Sequence, residues 1–279
     1  MIGQKQIQAK LREQISNNTL AKFIMLVGDR GSGKKTLAKW LAKEMGAEVT
    51  YILPDVRVET IRQMIDDVYA STEKMVCIIP DTDGMNMAAK NALLKVTEEP
   101  PRNVWFILTV ENIYNMFGTI LSRATTYSMD LYTQNEILTY YKSVDSFSAK
   151  DSEIIVDLCS TPGEVDLLLK QVGGVGKFFD YVTKVVDNIA LVSGSNSFKI
   201  AEKIALKDES DKYDLRLFWT AFTCICLKRL EKSPFKYAHG IQTTGRYLQD
   251  LRNPSFNKQM CFDEWLLSIR EEWLDYAED

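Results

Sequence analysis

The sequence is short of the groups on which most metal and thiol chemistry depends. Its five cysteines, Cys77, Cys159, Cys224, Cys226 and Cys261, are scattered, odd in number and never spaced as a CxxC pair. They read as reduced thiols of a cytoplasmic protein and offer no metal site. Cys224 and Cys226 stand two apart in a helical pattern and are expected in the core. The only histidine, His239, has no nearby group with which to build a triad or a metal cluster, and is assigned no role. Fourteen Gly and seven Pro are too few for a low-complexity or fibrous chain. No apolar run approaches the ~20 residues of a membrane span; the longest, Val104 to Val110, is bounded by Asn103 and Glu111. The amino terminus, MIGQKQIQAK, lacks an apolar segment and a cleavage signature, so no signal peptide is expected there. Positive charge is not in excess: 34 Lys and Arg face 38 Asp and Glu, giving −4 and a pI near 5.3. That excludes a free-standing nucleic-acid binder with a broad basic face, though not a few cations inside an assembled channel.

What is present is an ordinary folded composition, 46% apolar and 26% charged over 279 residues, enough for two domains or three small ones. The first half alternates short β-branched runs with helical patterns, the signature of a parallel sheet wrapped by helices. Strands are expected at Phe23–Val27, Val49–Leu53, Met75–Ile79, Val104–Val110 and, more weakly, Thr125–Leu131. The central ones are apolar throughout, as strands covered on both faces should be. Helices are expected at Lys34–Met45, Val58–Ala70, Met87–Glu98 and Ile113–Leu121. After Leu131 the pattern is helical, with three short helices at Gln134–Lys142, Lys150–Cys159 and Gly163–Val172. Gly173, Gly174 and Gly176 read as a flexible linker. Five longer helices follow at Phe178–Ile189, Ser197–Lys207, Leu215–Leu230, Tyr237–Leu251 and Phe256–Trp273.

Gly28-Asp29-Arg30-Gly31-Ser32-Gly33-Lys34-Lys35-Thr36 follows an expected strand and opens an expected helix. This is the context of a phosphate-binding loop, in which glycines let backbone N–H groups face phosphate and the helix N-terminus adds positive potential. Gly28, Gly31, Gly33 and Lys34 fit that role. The next position calls for a hydroxyl that ligates Mg²⁺, and Lys35 stands there; an ammonium repels a cation. Thr36 is rotated about 100° further round the helix. A nucleotide-hydrolysing site also needs an acid at the end of a neighbouring strand. After Met75–Ile79 that position is Pro80, which carries no ligand atom. Asp81 falls where a water-orienting acid would be, and Asp83 either shares that role or caps the helix beginning near Met85.

Further motifs name a family. Asn91-Ala92-Leu93-Leu94-Lys95, Glu98-Glu99-Pro100-Pro101, the strand Trp105-Phe106-Ile107-Leu108 and Thr119-Ile120-Leu121-Ser122-Arg123 closely resemble bacterial or phage clamp-loader subunits of the AAA+ family. The resemblance is strong over residues 1–131, starting at Ile2-Gly3-Gln4. It is weaker at Thr161-Pro162-Gly163 and returns at Asn257 to Ile269. It implies an α/β AAA+ P-loop domain with a parallel sheet at 1–131, a small helical lid domain at 132–173 and an all-helical collar domain for oligomerisation at 174–279. Lys35, Pro80 and Glu164, the last where active relatives place an arginine, resemble the degraded site of the delta-prime type. The resemblance then implies a non-hydrolysing subunit with ATP or ADP bound at most without turnover and no cofactor required. No zinc is expected, since residues 37–76 lack cysteine. Expected partners are the motor and clamp-opening subunits, the sliding clamp and primer-template DNA. Arg123 would act in trans as an arginine finger in a neighbouring subunit's ATPase site. Two other readings stay open: a motor-type subunit using Thr36 with Asp81 or Asp83 as metal ligands, and a regulatory binding protein with this fold.

Several residues have plainer readings. Lys35, Lys39 and Lys43 recur every fourth position and read as a solvated helix face, with DNA or an acidic partner as the alternative. Lys90 lies in a region that faces the DNA channel in related assemblies. Trp219, Phe222, Cys226 and Leu230 share helical spacing and belong to a core or a collar interface.

Overall fold

Strand β1 (Phe23–Val27) shows how the first half is built. Its alternate side chains enter two different cores: Phe23 and Met25 pack on one face of the sheet, Ile24 and Leu26 on the other. A strand covered on both sides has no polar face to keep, which is why it reads as an unbroken apolar run. In the computed structural model, which describes residues 2–146, 148–191, 200, 204–205, 212–251, 257–274 and 276, this strand lies inside a five-stranded sheet. The other members are β2 (Val49–Ile52), β3 (Met75–Ile79), β4 (Val104–Val110) and β5 (Thr125–Ser128). The order is β2-β3-β4-β1-β5 and every pairing is parallel. Met25 pairs with Leu108 and Ile78 with Ile107, and the Phe23 and Phe106 rings stack at 4.7 Å.

Helices cover both faces. On one side α1 (Lys5–Ser16) contributes Ile7 and Leu11, and α2 (Lys34–Glu44) contributes Leu37 and Leu41. On the other, α3 (Val58–Ala70) supplies Ile61, Met64 and Val68, and α4 (Met87–Glu98) supplies Ala89, Leu93 and Val96. The expected helix Ile113–Leu121 is instead a 3₁₀ turn, Ile113–Asn115, and a single turn α5, Gly118–Leu121, separated by extended Met116 and Phe117. Asn86, not Asp83, caps α4, its side chain accepting from the Ala89 N–H at 2.9 Å.

The chain divides into two compact units, Met1–Glu136 with Thr161–Gly163 and Ile137–Ser160 with Glu164–Asp279. The segment 132–173 is thus shared between them. The second unit is helical: α6 (Gln134–Val144) enters it, followed by α7 (Ala149–Leu158), α8 (Pro162–Leu169), α9 (Gly174–Asn188), α10 (Leu215–Arg229), α11 (Pro234–Asp250) and α12 (Lys258–Leu274). Its core is aromatic, with Phe218, Trp219 and Phe222 of α10 against Phe262, Trp265 and Trp273 of α12. The indole N–H of Trp265 donates to Thr244 Oγ1 of α11 at 3.0 Å. The stripe Trp219, Phe222 and Cys226 is therefore core of this unit.

Two expectations need correction here. The glycines at 173, 174 and 176 are not a linker: Gly173 takes φ +77° as the N-cap of α9, and the helix starts at Gly174. Within the expected helix Ser197–Lys207, Ile204 and Ala205 form a short parallel pairing with Tyr213 and Asp214. Apart from Ile200, the rest of that helix lies outside the described residues.

Candidate phosphate-loop site

The C-terminal ends of β1, β3 and β4 bring the chemistry of the first unit together, as the ends of parallel strands do in open α/β sheets. From β1 the chain enters the loop, whose Gly28 N–H donates to the Val110 carbonyl at 3.1 Å. Gly31 and Gly33 hold φ of +80° and +87°, backbone that a side chain would strain. Gly33 ends the loop as the N-cap of α2, so the first-turn N–H groups from Lys34 onward have no carbonyl inside the helix.

Lys34 is buried and its ammonium donates to the Gly28 and Asp29 carbonyls at 2.7 and 2.9 Å. Burial pushes its pKa below the usual lysine value, while Glu111, Asp81, Asp83 and Asp29 act in the opposite direction. Ser32 is also buried, and its Oγ has no hydrogen-bond partner. An ammonium, an unpaired buried hydroxyl and a helix N-terminus together suit a phosphate group. The metal half does not match. Lys35 and Thr36 both face solvent. Pro80 stands at the end of β3, and Asp81 sits beyond it at φ +49°, exposed, its N–H donating to Thr109 Oγ1 at 3.0 Å. Asp83 is engaged elsewhere: its Oδ2 accepts from the Asn112 and Glu111 N–H groups at 2.8 and 3.2 Å, bracing the chain after β4. Among the described residues no three His, Cys, Asp or Glu side chains are grouped to hold a metal ion.

Arg123 follows α5 at the surface. Its Nη1 donates to the Thr119 carbonyl at 2.8 Å and its Nη2 lies 3.5 Å from Glu98 at the end of α4. Glu164 accepts from the Ser160 N–H and Oγ, both at 2.8 Å. Lys35, Lys39 and Lys43 form an exposed face of α2.

A family model described as DNA polymerase III, delta subunit, matches residues 49–132, a stretch that takes in Pro80, Asp81 and Arg123. The DNA polymerase III subunit gamma of Buchnera aphidicola subsp. Acyrthosiphon pisum is 25% identical over 243 residues, 75% of this chain and 67% of that protein. The subunit delta' of Yersinia pestis is 35% identical over 71 residues, 24% of this chain and 21% of its own length. The chain is thus similar to DNA polymerase III subunits of the gamma and delta' kinds. It spans between about half and two thirds of the length of two gamma relatives that it matches. The fold agrees: a gamma subunit-related protein of DNA polymerase III from Thermotoga maritima superposes with a TM-score of 0.58 at 18% identity, over 95% of this chain and 98% of that one.

Several residues of the site were not legible as parts of it. Thr109, a buried hydroxyl inside an apolar strand, holds Asp81; a lone Thr in such a run is the signal. Tyr132 reaches the loop with its hydroxyl on the Ser32 carbonyl at 2.8 Å. Lys90 is buried, and its ammonium donates to the Asn115 carbonyl at 2.6 Å beside the Phe117 ring. His239 also has a partner, Glu272, with Nδ1 2.6 Å from Oε2.

Proposed function

We propose that the chain is a non-hydrolysing, delta-prime-like subunit of a DNA polymerase III clamp loader. In this reading it acts in the cytoplasm with motor and clamp-opening subunits to load the sliding clamp onto primed DNA. Its helical C-terminal part packs in the collar, and Arg123 completes a neighbour's ATPase site. Its own loop holds ATP or ADP at most without turnover, and neither zinc nor another cofactor is required.

One observation carries the reading. The loop keeps its phosphate-binding groups, Ser32 and Lys34, while the metal-binding positions hold an exposed lysine and a proline. Phosphoryl transfer relies on a cation to neutralise developing charge, and Lys35 with Pro80 removes both usual anchors for it. The purified chain should show no ATPase above background with Mg²⁺ and DNA. Turnover near ~1 s⁻¹, the low end of enzyme rates, would overturn the proposal.

The gamma relatives that cover most of the chain favour a second reading, a motor subunit with unconventional ligands at Thr36 and Asp81 or Asp83. The same assay separates the two. Thr36→Ala abolishes turnover in the motor reading and changes nothing in ours.

A further inference from the structure

Three consecutive carbonyls of the phosphate loop are each bonded by residues distant in sequence within the same unit. Thr161 Oγ1 donates to the Arg30 carbonyl at 3.2 Å, the Gly163 N–H to the Gly31 carbonyl at 3.0 Å, and the Tyr132 hydroxyl to the Ser32 carbonyl at 2.8 Å. The backbones touch as well. A Cβ on Gly163 would lie 2.4 Å from the Gly31 Cα, and one on Gly31 would lie 2.9 Å from the Gly163 Cα, so the approach tolerates glycine on both sides and nothing larger. Tyr132 is itself fixed. A Cβ on Gly3 would lie 2.7 Å from its ring, and the buried Gln4 amide grips the Asp130 backbone twice, giving and taking a hydrogen bond at 2.8 Å each.

The geometry of such a loop gives these bonds a consequence. Its N–H groups serve an anion, while its carbonyls need other partners or water. Here the carbonyls are held by donors from the protein itself, so the loop keeps its shape without an anion to gather it. A nucleotide can shift a conformational equilibrium only by binding two states differently. Where one state is already fixed, there is little left to shift.

We propose that Tyr132, Thr161 and Gly163 form a permanent clasp on the phosphate loop, which holds the loop closed and residues 161–163 attached to it whether or not nucleotide is bound. The clasp would make this site a structural joint rather than a nucleotide sensor. It stands on these contacts independently of the proposed function: a chain that hydrolysed ATP with its clasp intact would refute the function and leave the clasp standing.

The loop carries its own reporter, because Arg30 places a tryptic bond at Arg30–Gly31, and cutting there requires the loop to open locally. The full-length chain should be cut slowly at this bond, and millimolar MgATP should change the rate less than about twofold. Gly163→Ala should accelerate cutting by about tenfold, since each 1–2 kcal/mol lost from a closed state multiplies the open population by roughly 5–30. Thr161→Val removes one hydroxyl without adding bulk and should accelerate cutting by about threefold to fivefold, in line with one hydrogen bond; it serves as the test if Gly163→Ala fails to fold. Rapid cutting of the unmodified chain that MgATP slows about tenfold or more would overturn the clasp. So would folded variants cut at the rate of the unmodified chain.

Discussion

Arg123 and Glu98 face each other at 3.5 Å across the ends of α5 and α4, while a second arm of the same guanidinium holds the Thr119 carbonyl. Both side chains are partly exposed, and exposed pairs of this kind contribute only about 0–1 kcal/mol. The pairing therefore holds the guanidinium only weakly. A phosphate oxygen from another subunit could replace Glu98 at little cost.

Arg123→Ala should accordingly leave the chain folded and assembled, yet slow hydrolysis at the adjacent site of a reconstituted complex. A cation supplied in trans is worth ~10³–10⁵ in rate where it contacts the transferring phosphoryl group directly. Arg123→Lys should rescue poorly, because an ammonium lacks the planar fork that spans two oxygens. Single-turnover hydrolysis, with the other sites disabled at their own loop lysines, is the deciding measurement. An unchanged rate there reduces Arg123 to a surface residue paired with Glu98.

Alkaline stability should depend on Cys77. It is fully buried in the sheet, and burial raises its thiol pKa from 9.0 to about 12, with Asp67 adding to the shift. The folded state thus holds the proton after the unfolded chain has released it. Stability from this group is complete below pH 9 and declines as the pH rises toward about 12. Replacing Cys77 by Ala should flatten the loss of stability measured by denaturant titrations across that range. A slope unchanged by the substitution sinks the assignment.

Two glycines of α11 make a matched pair. A Cβ at Gly240 would lie 2.7 Å from Cζ2 of the fully buried Trp273, whereas one at Gly245 meets nothing within 4 Å. Gly245→Ala should stabilise the chain by up to ~1 kcal/mol through helix propensity alone. Gly240→Ala gains the same propensity but forces the indole aside, and should lose about 1–3 kcal/mol net through overpacking. Equal denaturation midpoints for the two variants would contradict this packing.

The strands were legible because burial on both faces leaves a signal that needs no partner to interpret: β1, β3 and β4 lie where the apolar runs place them. The loop was legible because phosphate binding imposes local spacing. What escaped was whatever depends on distant residues. In α1, the segment KQIQAKLREQIS buries only Ile7 and Leu11, with Ile15 partly covered, too thin a stripe to announce a helix. The Gly31–Gly163 contact joins positions 132 apart, and nothing in the sequence pairs the loop glycine with the one after Pro162. Asp83 looked like a cap because the acid beside a helix start usually is one; instead it accepts from the chain after β4, and Asn86 takes the cap.

Lys90 offers the sharpest division between a sequence-based expectation and its place in the fold. A lysine contacting DNA would contribute to counterion release, and its removal would lower the salt dependence of DNA binding by ~1 in slope. The Lys90 ammonium is instead buried on the Asn115 carbonyl and beside the Phe117 ring. Its ammonium donates to that carbonyl at 2.6 Å from within α4. Lys90→Ala should therefore destabilise the chain by about 0.5–1.5 kcal/mol, the net contribution of one hydrogen bond. The salt slope of DNA binding by an assembled complex should not move. Denaturant melts of the chain and a salt titration of the complex give the two readings separately. A shallower slope with unaltered stability would return Lys90 to the DNA channel.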